Sequence, residues 1–394
     1  MRCPTPRFMN CRPLVFLMLV LLQGVIARGS QASSQGRPEN VTPVLPRVDL
    51  GVRVALDVPI APTPVPISDH VDLVYELHLS SYDDRRLILQ RVEILGDSRQ
   101  YPLVTFENDS LTRILGTGEP DSELAAHALA PRNHIVLYFW IPSRSGSVPS
   151  RLSHRLTFDT GSKRESVEGG RVEIATHAPI AIGPPLRSGY WVATNSGNDT
   201  LHRRLIITPE QKPVIGTRFA TDWCKKGENG SINREHTPLR NEDFYCYGEE
   251  VLAVADATVA SAVDGIPENQ PGLLPPDSDL RTITGNRIVL NLGGNAFAIY
   301  AHLQPGSIRV KQGQRVQRGE LVALLGNSGL SDSPHLHFQV ANADGLAGEG
   351  LPYVLDGYVS FGVSVSGKPV DTSQRHVVHG RFPATDEIVS FLAQ

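Results

Sequence analysis

Cysteine is scarce in this chain: there are 4 in 394 residues, and two of them, Cys3 and Cys11, fall within the first dozen positions. Cys224 and Cys246 are the other two; their spacing matches no zinc-knuckle pattern, and an oxidising compartment would allow one disulfide between them. A surplus of positive charge is also missing. The formal net charge is −4, with 37 basic and 41 acidic residues, which excludes the basic footprint of a nucleic-acid binder. Long apolar runs are absent beyond one, "PLVFLMLVLLQGVIA", which follows Arg2, Arg7 and Arg12 in a stretch with no acid. That run is short for a membrane-spanning helix. With Ser30 and Ala32 as small residues at a cleavage position, residues 1–32 read as a signal peptide, the competing reading being an uncleaved N-terminal anchor. Without Arg2, Arg7, Arg12 and Arg28 the mature chain has 33 basic residues and a net charge of about −8. The expectation is an exported protein of the periplasm, cell envelope or secreted medium, with no transmembrane span after processing and an oligomeric state that the sequence leaves open.

What is present points to β-structure. Hydrophobic residues make up 40%, and 35 glycines with 30 prolines supply many turns. Residues 33–45 are polar and proline-containing, as in a linker. Over 46–180, runs such as "VDLVYELHLSSY", "RLILQRVEILGD" and "HIVLYFWIP" alternate or are β-branched between turns, predicting a β-sandwich-like domain of unknown role. Its His127, His134 and His154 are scattered and call for no chemistry. "PIAIGPPLRSG" marks a boundary. A second β-rich domain follows over 186–365, with strands expected at 217–224, 251–263, 286–292, 296–303, 320–325 and 335–341, and 366–394 reads as a C-terminal tail. The proline-rich insertion 265–285 is either the wall of a cleft or a passive surface loop.

The chemistry gathers near the end of this domain. In "SDSPHLHFQV" strand alternation sends Leu336, Phe338 and Val340 to one face and His335 with His337 to the other. Paired imidazoles on a rigid strand can present a metal ligand beside an acid/base group. In "AFAIYAHL" the same alternation places Phe297, Ile299, Ala301 and Leu303 together, and Tyr300 with His302 opposite, from where His302 would enter the groove. Asp222 in "ATDW" lies opposite Phe219 and Trp223.

The segments "TRFATDW", "EEVLAVADATV", "GNRIVLNLGGNAFAIYAHL" and "VKQGQRVQRGELVALLGNSGLSDSPHLHF" together resemble the lysostaphin/LytM-type zinc metalloendopeptidases, which cut cell-wall peptidoglycan peptides. The resemblance implies a mainly β fold, an N-terminal β-sandwich-like domain being followed by an antiparallel β-sheet peptidase domain with Zn2+ in a groove. It assigns His337 and Asp222 to the metal and His335 and His302 to catalysis. The family's usual first ligand, a histidine shortly before the aspartate, is replaced here by Thr217 and Arg218. Some members place that histidine before a longer excursion. "YWVATNSGNDTLHRRLIITPEQKPVIGTRFATDW" resembles that arrangement, with His202 in the position and His236 or Cys224 as alternatives.

Three protein ligands would leave a fourth zinc position open for water, the mark of a catalytic site. The expected function is peptide-bond hydrolysis, in peptidoglycan cross-links or another peptide substrate. The alternative is an inactive LytM-like domain that binds cell-wall peptide or activates another hydrolase. "VKQGQRVQRGELVALLG" also resembles the hairpin of biotinyl and lipoyl carriers, but lacks the tip lysine that attachment needs.

Overall fold

In the computed structural model the described residues are 50–98, 100–115, 127–143, 148–196, 201–209, 212–234 and 239–392. The expected signal peptide, the linker and His236 lie outside them. Residues 50–394 form one compact unit. Its fold is mainly β, with antiparallel sheets. Among the described residues no helix is long and apolar enough to cross a membrane.

The N-terminal part builds two sheets around one core. In the first, His70–Ser81 pairs with His134–Ser143 on one side and with Val54–Asp57 and Pro64–Ile67 on the other. In the second, the order is Pro102–Phe106, Leu87–Leu95, Arg151–Asp159, Arg164–Glu173. Alternation explains their packing. Leu73, Tyr75, Leu77 and Leu79 meet Leu89, Val92, Leu137, Phe139, Leu156 and Phe158 between the sheets. Val74, on the opposite face of its strand, joins a different core, that of the C-terminal part.

That second part is organised by a ten-stranded antiparallel sheet. Its central strands run in the order Asn286–Gly293, Ala296–Leu303, Leu336–Ala341, Thr221–Lys225, Trp191–Thr194. Leu336, Phe338 and Val340 enter the core with Tyr300, Trp191 and Trp223. The expected strand 251–263 is two, Glu250–Leu252 and Ala257–Val263, in different sheets. Residues 366–394, read as a tail, contribute strands His376–Val378 and Glu387–Phe391 to the large sheet, and Phe382, Val389 and Phe391 to its core. The hydrophobic residues there are spaced for a strand, but too few surround them to stand out locally.

Candidate metal centre

Three adjacent strands set the site. Asp222 lies directly across the ladder from His337, and His337 directly across from Ala301. Asp222 and His337 face away from the core that holds their neighbours Trp223, Leu336 and Phe338. His202 arrives from elsewhere, on the single helical turn Leu201–Arg204.

His302 reaches the site by a route that alternation does not predict. Tyr300 is buried in the core, where its hydroxyl accepts the Val254 N–H at 2.9 Å, and Leu303 is in that core too. The ladder to Asn286–Gly293 shifts register between Asn286 and Ile288, and His302 takes φ 61°. This β-bulge turns His302 to the face opposite Tyr300 and returns Leu303 to the core, so the two residues expected to share a face do not. A non-glycine residue in the left-handed region carries backbone strain, of the kind that clusters at functional sites.

The donor atoms of His202, Asp222 and His337 all lie within 4.8 Å of one another. His337 Nδ1 is 3.0 Å and His202 Nε2 3.5 Å from the Asp222 carboxylate. The outer nitrogen of each ring is tied to a carbonyl oxygen. His202 Nδ1 is 3.3 Å from Asn195 O, and His337 Nε2 is 2.8 Å from Gln339 Oε1. Gln339 is oriented in turn by donating its amide to Gly216 O at 3.0 Å. Rings that donate outward keep the inward nitrogen as a lone pair, which is how metal-binding histidines are prepared. The donor set, two imidazoles and a carboxylate, therefore fits a divalent metal ion. Cys224, the other candidate on the Asp222 strand, is not among these three.

His335 and His302 stand beside this group, their rings 4.8 Å apart. His335 Nε2 faces Asp222 at 3.6 Å. Both are oriented by one loop: His335 Nδ1 lies 2.8 Å from Ser333 O, and His302 Nδ1 lies 2.7 Å from Ser328 O. Each then offers Nε2 as an acceptor. The insertion 265–285 is pinned along this loop, with Asn269 donating to Gly329 O and Ser331 O at 2.6 and 2.7 Å.

Charge is shared tightly here. Burial acts to raise the Asp222 carboxyl, but His335, His202 and His337 together hold it well below the ordinary range. Burial pushes His202 down to about 4, against the pull of Asp222. Burial, His335 and His337 hold His302 well below the usual imidazole value. His337 is raised: burial pulls it down, but the hydrogen bond and charge of Asp222 and the hydrogen bond to Gln339 together outweigh that.

Two participants escaped the sequence analysis. Gln339 shares strand parity with His335 and His337, a signal that was available. Asn195 donates to Asp222 Oδ2 at 2.8 Å from a turn at φ 52°, and nothing local marks it. Cys224 and Cys246 are separate buried thiols rather than a disulfide, and Cys246 Sγ donates to Pro334 O at 3.0 Å.

Known proteins resemble this part of the chain. Residues 242–347 match Peptidase family M23. The peptidoglycan DD-endopeptidase ShyA of Vibrio cholerae is 41% identical over 56 residues, 14% of this chain and 13% of that protein. Endolysin 2638A of Staphylococcus phage 2638A is 30% identical over 120 residues, 30% of this chain and 24% of that protein. The catalytic domain of lysostaphin from Staphylococcus simulans aligns at a TM-score of 0.21 with 23% identity, over 33% of this chain and 88% of that one. The chain spans about a quarter or less of the length of the curated relatives it matches. The segment 242–347, which holds His302, His335 and His337, is thus similar to peptidase family M23.

Proposed function

We propose that the protein is an exported zinc metalloendopeptidase that hydrolyses peptide bonds in peptidoglycan cross-links. Its domain division would be that expected from the sequence, with the peptidase over 186–365 extended by the strands after 366. The observation that carries this reading is the convergence of His202 Nε2, Asp222 and His337 Nδ1, each ring held from behind by a carbonyl oxygen. Similarity to a protein named as a peptidoglycan DD-endopeptidase points to the same substrate class. Zinc held by His202, Asp222 and His337 would supply Lewis acidity and make water a nucleophile near neutral pH.

The remaining steps belong to the chain. His335, with Nε2 toward the centre, accepts the proton of the attacking water and returns it to the leaving amine. His302 is kept neutral by burial and by the neighbouring rings. With Nδ1 committed to Ser328 O, its Nε2 is a second acceptor for a proton beside the one that His335 offers. The inactive-domain alternative drew on the absent first ligand, and the approach of His202 to Asp222 favours the enzyme instead. Metal analysis of the purified protein, with hydrolysis of purified peptidoglycan, tests the proposal. A protein that takes up no zinc at neutral pH when zinc is supplied would refute it.

A further inference from the structure

Strand His70–Ser81 is buried on both faces, and its outer face reaches toward the proposed metal centre. Glu76, 1% exposed, receives the Arg218 guanidinium, with Nη2 2.8 Å from Oε2 and Nε 3.2 Å from both oxygens. Arg218 is itself buried, and its other arm meets Glu349 at 2.9 Å. It closes the turn 215–218. Within that turn Thr217 Oγ1 donates to the His202 carbonyl at 2.6 Å, and the Gly216 carbonyl receives the Gln339 amide that holds His337. One short turn thus reaches His202 directly and His337 through Gln339, and a carboxylate from the N-terminal sheets fixes it. A second tie reaches the same place. Arg203, next to His202, donates to Phe139 O at 2.6 Å and lies 5.1 Å over the Trp140 ring.

We propose that Glu76, acting through Arg218, is a positioning residue of the metal centre, so that the N-terminal sheets set its metal affinity; this rests on the metallopeptidase reading above. A bidentate carboxylate–guanidinium contact admits one narrow geometry, which passes to the turn and from it to His202 and His337. Loss of such outer partners typically lowers metal affinity about 10–100-fold.

The test measures the zinc dissociation constant by chelator competition on the full chain, beside the melting temperature of each metal-free protein. Glu76→Gln is expected to weaken zinc binding about 10–100-fold. Thr217→Val, which removes only the hydroxyl held to the His202 carbonyl, should also weaken it, and it carries the test if Glu76→Gln fails to fold. Leu156→Ala, in the N-terminal core, should lower the melting temperature and leave the zinc constant unchanged. Wild-type affinity in folded Glu76→Gln or, where that variant does not fold, in Thr217→Val overturns the proposal. Equal weakening by Leu156→Ala overturns it too, since affinity would then follow stability alone. A wild-type chain that binds no zinc overturns the metallopeptidase reading and this one together.

Discussion

His337 Nε2 lies 2.8 Å from Gln339 Oε1, two residues along the same strand and on the same face. Because the Gln339 amide is spent on Gly216 O, its oxygen must face the ring, and the ring must donate. The inward Nδ1 is thereby left unprotonated for a metal. Gln339→Ala is expected to weaken zinc binding roughly 10–100-fold while leaving the fold intact. Chelator competition reads this directly; an unchanged constant would show that the ring orients itself.

His335 and His337 should separate in function although one residue divides them. His337→Ala removes a proposed ligand, so zinc content and hydrolysis of peptidoglycan should fall together. His335→Ala should retain zinc and lose turnover by something on the order of 10²–10⁴-fold. Parallel metal analysis and turnover on both variants decide it, and equal zinc loss in the two contradicts the assignment.

The loop that orients His302 depends on a close backbone approach. A Cβ on Gly329, at φ 77°, would lie 2.2 Å from Gly285 N and 2.6 Å from its Cα. Gly329→Ala must shift Ser328, whose carbonyl holds His302. Turnover should fall on the order of 10–100-fold with zinc retained. Normal turnover in this variant would mean that His302 does not need the Ser328 contact.

Acid should weaken the N-terminal core through His154. This ring is wholly buried, accepting from the Tyr75 hydroxyl at Nε2 and donating from Nδ1 to Gly170 O. Burial pushes it down to about 4, while an unfolded histidine titrates near 6.5. The unfolded chain therefore takes up a proton that the folded one refuses. The contribution is whole above about pH 6.5 and is lost as pH falls toward 4, by at most about 3 kcal/mol. Melting temperatures at pH 7.5 and 4.5 should diverge less in His154→Gln than in the wild type; an equal drop in both would assign the acid sensitivity to other groups.

The sequence made the period-two faces legible wherever a strand was regular. Leu336, Phe338 and Val340 enter the core as alternation requires, and Asp222 lies opposite Trp223. Alternation failed at His302, because a bulge is a departure from the very period that was being read. His202 could be placed by resemblance but not by pattern, since its helical turn is a single turn with no periodicity to detect. The final strands were missed for a related reason. Glu387–Phe391 is short, and its burial depends on partners nearly two hundred positions away, such as Trp191 and Val192.

Glu76 and Arg218 are 142 positions apart, and Arg218 meets Gly350 across another 132. Contacts of such separation form only once the entropy of closing long loops has been met. The histidines would thus acquire their spacing only when both halves of the chain are in place, which delays assembly of a hydrolytic centre until the molecule is nearly complete. A fragment beginning after the N-terminal sheets would uncover Arg218 and leave it with Glu349 alone, without the bidentate contact that fixes the turn.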